Sequence, residues 1–403
     1  MDVIWTVFLF ALGACVGSFL NVVVWRMPRG QSIVFPGSHC PACGRAIRWY
    51  DNIPLVSWLA LRARCRDCKA PISPRYFFVE LAAACLVAGL FVCYYVFRVR
   101  RGAGQFADTW PMFLSNAALL CGLLAASLID VEHWIIPLEV CWVVSLIGAV
   151  SAAAAPPPWR FLPHPTPVSG AAGAMALAAG AGLIVSLLLV HYGYLQRSFL
   201  DAEDRPREKP EEGDPIEGSR ETQPAPVSVA FTKAHGVDPR REVLREVAFL
   251  TPALLLAAVA WLLVARGGPA ARTWASLRAV GWLAPHMEAL LASLFGYLVG
   301  GLWIWSVRIL GTLGFGKEAM GLGDVHILAA VGAVCGWVVP SLAFFLAAFL
   351  ALAWAVALAV SRHQRELPYG PWLAGGALVA MVGYDYLMEL LRPYTQAFKL
   401  LFG

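Results

Sequence analysis

Two aspartates and four cysteines are the residues of this chain whose types and settings could do chemistry. Asp130 closes an apolar run in LLAASLIDVEHWIIP, and Asp324 opens another in GLGDVHILAA. An Asp at the centre of a membrane helix costs roughly 2.5 to 3.5 kcal/mol on insertion scales, so an Asp beside such a run should have a use. Two carboxylates brought close together cannot both be ionised. One would keep a proton while the other acted as base, and the pair could activate a water against a peptide carbonyl and protonate the leaving amine. Gly321 and Gly323, without a Cβ, permit a sharp turn into the helix and close approach of a substrate backbone. Each aspartate also has a plainer reading. An Asp at a helix start commonly caps it, and acids in a transporter or channel bind protons or ions. Asp385, Glu389, His133, His191 and His326 suit helix contacts or interfacial positions, and Glu80 suits the bundle interior or the interface.

The second constellation is Cys40, Cys43, Cys65 and Cys68, two CxxC pairs with 21 residues between them in a polar, arginine-rich segment. Each pair can present two thiolates from one tight turn, and two turns complete a tetrahedral S4 shell. Soft sulfur ligands favour zinc over magnesium or calcium. A closed shell leaves no open coordination position, so this zinc is expected to organise a small domain and to perform no chemistry. His39 could stand in for a ligand, but four sulfurs already suffice. Disulfides would require an oxidising compartment. The other six cysteines sit in apolar runs, where a thiol behaves as a small hydrophobe.

The elements that must position these residues are membrane helices. The chain has 403 residues, 59% hydrophobic and 14% charged, with a mean hydropathy of +0.65, which marks a multi-pass membrane protein. Apolar runs fall at about 3–25, 76–97, 110–129, 136–154, 170–192, 246–265, 289–311, 323–339, 341–360 and 371–391. Helices of this length cross about 30 Å of hydrocarbon, and runs so long and continuous exclude barrel strands. The expected fold is therefore all-α, a polytopic transmembrane bundle of about ten helices with a small cytoplasmic zinc-bound domain after the first. The corresponding division is a first helix over 1–25, the zinc-binding domain over 26–75, helices carrying Asp130 over 76–200, a linker over 201–245, and helices carrying the GxGD motif over 246–403. The first run has no preceding basic residue and no small-residue cleavage site, so it is expected to be retained rather than removed as a signal peptide.

Basic residues set the orientation. Arg26, Arg29, Arg45, Arg48, Arg62, Arg64, Arg66, Lys69 and Arg75 should hold the segment after the first helix in the cytoplasm, with the N-terminus outside. Alternation through ten spans then puts Asp130 and Asp324 at the same, cytoplasmic boundary. It also leaves Arg98, Arg100, Arg101, Arg266, Arg272 and Arg278 outside, against the same rule. The net charge of +5 is modest and lies between the apolar runs, which argues against nucleic-acid binding. Residues 201–242, rich in Pro, Glu, Arg and Gly, lack the apolar surface to order themselves and read as a disordered cytoplasmic linker. A Pro-rich external loop is expected over 152–167.

The segment GKEAMGLGDVHILAAVGAVCGW resembles the GxGD signature of bacterial prepilin peptidases, the type IV leader peptidases. LIDVEHWIIP resembles the segment that carries their first aspartate, and LPYGPWLAGGAL resembles a further region of theirs. GSFLNVVVWRMPRG and CPACGRAIRWYDNIPLVSWLALRARCRDCKAPISPRYFFVEL resemble the cytoplasmic domain of the bifunctional members. About half the chain is covered, in the family's order. The resemblance implies an aspartic endopeptidase of the bacterial inner membrane that cuts leaders from prepilins and pseudopilins of type IV pili and type II secretion, with Asp130 and Asp324 as the catalytic pair. It further implies N-methylation of the new terminus with S-adenosylmethionine. Typical members have a shorter connection between the aspartates; this chain inserts the Pro-rich loop, two helices and the charged linker. The rival readings are another GxGD intramembrane protease, a proton- or ion-coupled transporter, and a membrane scaffold with a zinc-bound assembly domain.

Overall fold

The computed structural model describes residues 1–154, 168–196, 198, 239–278, 281–361 and 368–402. Its helices are α1 (Asp2–Arg26), α2 (Val56–Ala60), α3 (Pro74–Phe91), α4 (Phe106–His133), α5 (Leu138–Ala154), α6 (Gly170–His191), α7 (Pro239–Ala265), α8 (Pro269–Arg278), α9 (Ala284–Phe315), α10 (Leu322–Cys335), α11 (Val338–Ser361), α12 (Gly370–Val382) and α13 (Tyr384–Phe402). Among the described residues the only β pairing is two isolated bridges, His39 with Ala46 and Arg64 with Pro71. The all-α expectation holds, and every one of the ten apolar runs is helical.

Seven of these helices are long and apolar enough to cross a membrane, or eight if α12 and α13 form one span. That tenth run, expected as a single helix over 371–391, is bent by 81° at Gly383. α5 and α10 are shorter, with 17 and 14 residues. Most of the segment expected to be a linker, up to residue 238, and residues 155–167 of the expected Pro-rich loop lie outside the described residues. From Pro239 the chain is already helical, so α7 starts ahead of its apolar run.

α10 is the innermost element. Apart from Leu322, Gly323 and His326, all its residues are buried, enclosed by α4, α5, α9, α11 and α12. It is reached at close quarters through glycines. A Cβ on Gly296 would lie 2.1 Å from the Gly332 carbonyl oxygen, one on Gly332 would lie 2.0 Å from the Gly296 carbonyl oxygen, and one on Gly300 would lie 2.2 Å from that of Leu328. Gly296 and Gly300 form a GxxxG stripe, the small-residue spacing that lets membrane helices touch backbone to backbone. α1 meets α3 the same way through Gly13 and Gly17, where added carbons would sit 2.8 and 2.6 Å from α3 backbone atoms. By contrast only 11% of the apolar window of α7 is buried among the described residues.

Two of the arginines that charge counting left on the outer side, Arg100 and Arg101, pair with acids of α13. Arg100 is buried, pairs with Asp385 at 3.2 Å and lies 4.6 Å from the centre of the Tyr384 ring. Arg101 pairs with Glu389 at 3.1 Å and donates its backbone N–H to Asp385 at 2.7 Å. A buried cation needs such partners wherever it lies relative to the bilayer.

Candidate functional site

Asp130 stands in the last turn of α4 and Asp324 in the first turn of α10, and both are buried. α4, α10 and α12 lie against one another, and Asp324 is within electrostatic reach of Asp130. The arrangement thus brings together two acids that stand far apart in the sequence. Asp324 is not the cap of its helix: Gly321 occupies that position and Asp324 is the third helical residue. Gly321 lies beside the carboxylate, and a Cβ there would be 3.5 Å from Oδ2. The other oxygen, Oδ1, is buried with no hydrogen-bond partner among the described residues. A buried acceptor left open in this way suits a group that receives a water or a substrate.

Asp130 is held from the other side. Gly370, at the start of α12, donates its backbone N–H to Asp130 Oδ2 at 3.1 Å, so the carboxylate sits at a helix N-terminus, where negative charge is favoured. The neighbouring Tyr369 lies within electrostatic reach of Asp324. Gly323 has a different neighbour from a substrate strand: its missing side chain is replaced by Ile136, whose Cβ would lie 2.5 Å from an added carbon. That contact presses the start of α10 onto the segment that follows Asp130. Sequence reading named neither Gly370 nor Ile136 as site residues, although both lie in stretches that it singled out, LPYGPWLAGGAL and LIDVEHWIIP. His326 faces Tyr297, with Nδ1 3.5 Å from the hydroxyl. Glu80 accepts the backbone N–H of Leu55 at 2.7 Å, tying the segment between α1 and α3 to α3.

The four cysteines converge. Their sulfurs all lie within 4.8 Å of one another, and those of Cys40 and Cys68 are 3.8 Å apart, close to the spacing of two ligands on a tetrahedral ion with bonds of about 2.3 Å. The tetrad can hold a metal ion. Two matching turns build it. Cys40 receives the backbone N–H of Gly44 and donates to Arg45, and Cys65 receives that of Lys69 and donates to Ala70. Gly44 and Lys69, at equivalent places, both have left-handed backbones. The backbone N–H groups of Cys43 and Ala42 hold the Cys40 thiol down to about 7, which favours the thiolate that a metal needs. Salt bridges brace the turns from outside: Arg45 to Asp67 at 3.1 Å, and Arg66 to both oxygens of Asp51 at 2.6 and 2.7 Å. Arg66 holds the Asp51 carboxyl below its ordinary range. Beyond this module Arg75, at the start of α3, pairs with Glu132 at 2.8 Å, two residues past Asp130.

Residues 11–94 match the bacterial peptidase A24 N-terminal domain. The chain is 51% identical over 137 residues to the prepilin leader peptidase/N-methyltransferase of Myxococcus xanthus, covering 34% of this chain and 37% of that protein. It is 40% identical over 148 residues to the type 4 prepilin-like proteins leader peptide-processing enzyme of Escherichia coli, covering 31% and 48%. It is also 40% identical over 149 residues to the prepilin leader peptidase/N-methyltransferase of Pseudomonas aeruginosa, covering 31% and 47%. These matches span less than half the length of those relatives. No solved structure matches. The likeness to bacterial prepilin peptidases read from the sequence is upheld by these matches.

Proposed function

We propose that this chain is a membrane aspartic endopeptidase that cleaves the leader peptide of type IV prepilins and pseudopilins at the cytoplasmic face of the bacterial inner membrane, and that it N-methylates the terminus so exposed. The observation that carries the reading is the convergence of Asp130 and Asp324, two buried carboxyls at adjoining helix ends. In such a pair one carboxyl keeps its proton and the other acts as base, taking a proton from a water as it attacks the scissile carbonyl; the acid then protonates the departing amine. Gly370 fixes the orientation of Asp130 through its N–H, and the open oxygen of Asp324 is where the water or carbonyl would be received. Burial excludes competing solvent and strengthens each of these interactions.

Helix-end acids suit a substrate that presents its leader where a transmembrane helix leaves the bilayer. They suit a transporter less well, since it would place its acids near the midplane. For the metal, the all-sulfur tetrad favours zinc in a structural role. Methylation is supported by the names of the relatives. The methyl donor, S-adenosylmethionine, supplies an electrophilic methyl group to the amine, and none of this chain's residues is assigned to it.

The test is to incubate the purified protein with a prepilin and, separately, with a signal peptide. Cleavage of the prepilin alone is expected. Asp130→Asn and Asp324→Asn should each abolish it, with the double variant no worse than either single, as for residues that act as one unit. Substantial cleavage by either single variant would remove that aspartate from the mechanism, and cleavage of the signal peptide alone would replace the substrate class.

A further inference from the structure

The helix pair α6 and α7 lies between the two aspartates in sequence and packs beside α9, the helix that leads into the GxGD turn. The two cross closely, since a Cβ on Gly182 would sit 2.4 Å from Ala253 Cα, and Ser186 of α6 donates to the Phe249 carbonyl of α7 at 2.6 Å. From α7 a buried carboxylate, Glu246, reaches α9. It accepts Arg308 Nε, Ser198 Oγ at 3.1 Å and Trp305 Nε1 at 3.2 Å. Arg308 is itself buried, and its Nη1 donates to the Glu318 carboxylate and to the Met320 carbonyl. Those two acceptors belong to the turn 316–321, which ends at Gly321, three residues before Asp324. The turn is otherwise exposed over 316–319. Thr312 Oγ1 of α9 also tethers it, accepting the Ala319 N–H at 3.3 Å.

A guanidinium suits this place because its planar fork carries donors in fixed, divergent directions. One edge can face a carboxylate on α7 while the other faces a carbonyl and a carboxylate of the turn. A lysine ammonium has no such reach. A buried charge of this kind stays where its partners are, since an unpaired one is strongly unfavourable. The conformation of the turn is thereby coupled to the placement of α7.

We propose that Arg308, anchored by Glu246 of the inserted helix pair, is a positioning residue that clamps the 316–321 turn and so holds Asp324 in place opposite Asp130. This rests on the proteolytic reading of the two aspartates for its effect on cleavage, but the clamp itself can be measured without it.

Two readouts test it in the full-length protein. The first is limited trypsinolysis at Lys317, an exposed residue of the turn, followed by mass spectrometry. Arg308→Met should be cut at Lys317 several-fold faster than the unaltered chain, and Glu246→Gln should fall between them. The second is prepilin cleavage. Arg308→Met should lower kcat by about tenfold or more with KM within about twofold, as expected when a reacting group is misplaced while substrate binding is retained. The Glu246→Gln, Arg308→Met double variant should be no worse than Arg308→Met alone. If Arg308→Met does not accumulate, Arg308→Lys is measured in the same way, with faster Lys317 cutting again expected. An unchanged rate of cutting at Lys317 would overturn the clamp. Faster cutting with unchanged kcat would overturn its role in placing Asp324. Absence of prepilin cleavage by the unaltered chain would instead sink the proteolytic reading, leaving the trypsin result to decide the clamp.

Discussion

Gly370 is a position where one carbon atom decides the site. Its N–H holds Asp130, and the space a side chain would need is filled by the same carboxylate, with Oδ2 only 2.5 Å from an added Cβ. Gly370→Ala must therefore move the acid or the start of α12. Prepilin cleavage is expected to fall by about tenfold or more, while Gly375→Ala, whose added carbon meets only Leu350 Cδ1 at 3.4 Å, should leave the rate within about twofold; kcat measured for the two variants checks this. The aspartates were legible in the sequence because a carboxylate beside an apolar run stands out against its surroundings and asks for a cause. Gly370 was not, because a glycine's meaning depends on what stands opposite it, and here that is a residue 240 positions away. The cysteines are intermediate. Their spacing pointed to four sulfurs that converge, but that their two turns share one backbone pattern, with Lys69 in the left-handed conformation that Gly44 adopts without strain, emerged only from the fold.

Among the helices, the crossing of α9 and α10 is the closest and the most exacting. With carbonyl oxygens 2.0 to 2.2 Å from where side-chain carbons would be, Gly332→Val cannot be accommodated by a rotamer change and must separate two backbones. Overpacking of this kind costs about 1 to 3 kcal/mol or more. The thermal midpoint of the detergent-solubilised protein should drop by several degrees, whereas Gly89→Val, where an added carbon meets nothing within 4 Å, should change it little. Equal midpoints for the two variants would show that the crossing is looser than described. The existence of each helix was readable, since apolar length alone specifies it. How helices meet was also written in the sequence, as GACVG in α1 and GYLVG in α9, but as spacing of small residues rather than as hydropathy. The axis turns by 81° at Gly383, a bend that the length of the apolar run alone does not specify.

At the scale of the whole molecule the four cysteines belong to the segment between α1 and α3 and the paired acids to α4 and α10, and Arg75, at the start of α3, pairs with Glu132, two residues past Asp130. Loss of the metal should then unfold one function and spare the other. Structural zinc contributes on the order of 10 kcal/mol to domains this small, so Cys40→Ser or Cys68→Ser is expected to release the metal and loosen residues 38–72. Methylation should fall severely and leader cleavage by no more than a few-fold. Metal analysis of protein purified without chelators, with the two activities assayed separately, checks this; one bound zinc in the unaltered chain is the expected result, and equal loss of both activities would show that the tetrad and the acids are coupled. Orientation was the least legible property at this scale, because counting charges treats each arginine as free. Arg100 is instead half of a pair whose other half, Asp385, is 285 residues further along the chain. That separation also sets a schedule. At ribosomal speeds of about 5 to 20 residues per second, roughly 15 to 60 seconds pass between synthesis of the cation and arrival of its carboxylate. Tyr384, the ring against which Arg100 rests, arrives just as late. For that interval the nascent protein carries a charge with neither its carboxylate nor its ring. A chain cut short before α13 would carry it permanently, in the form that membrane quality control can recognise and destroy.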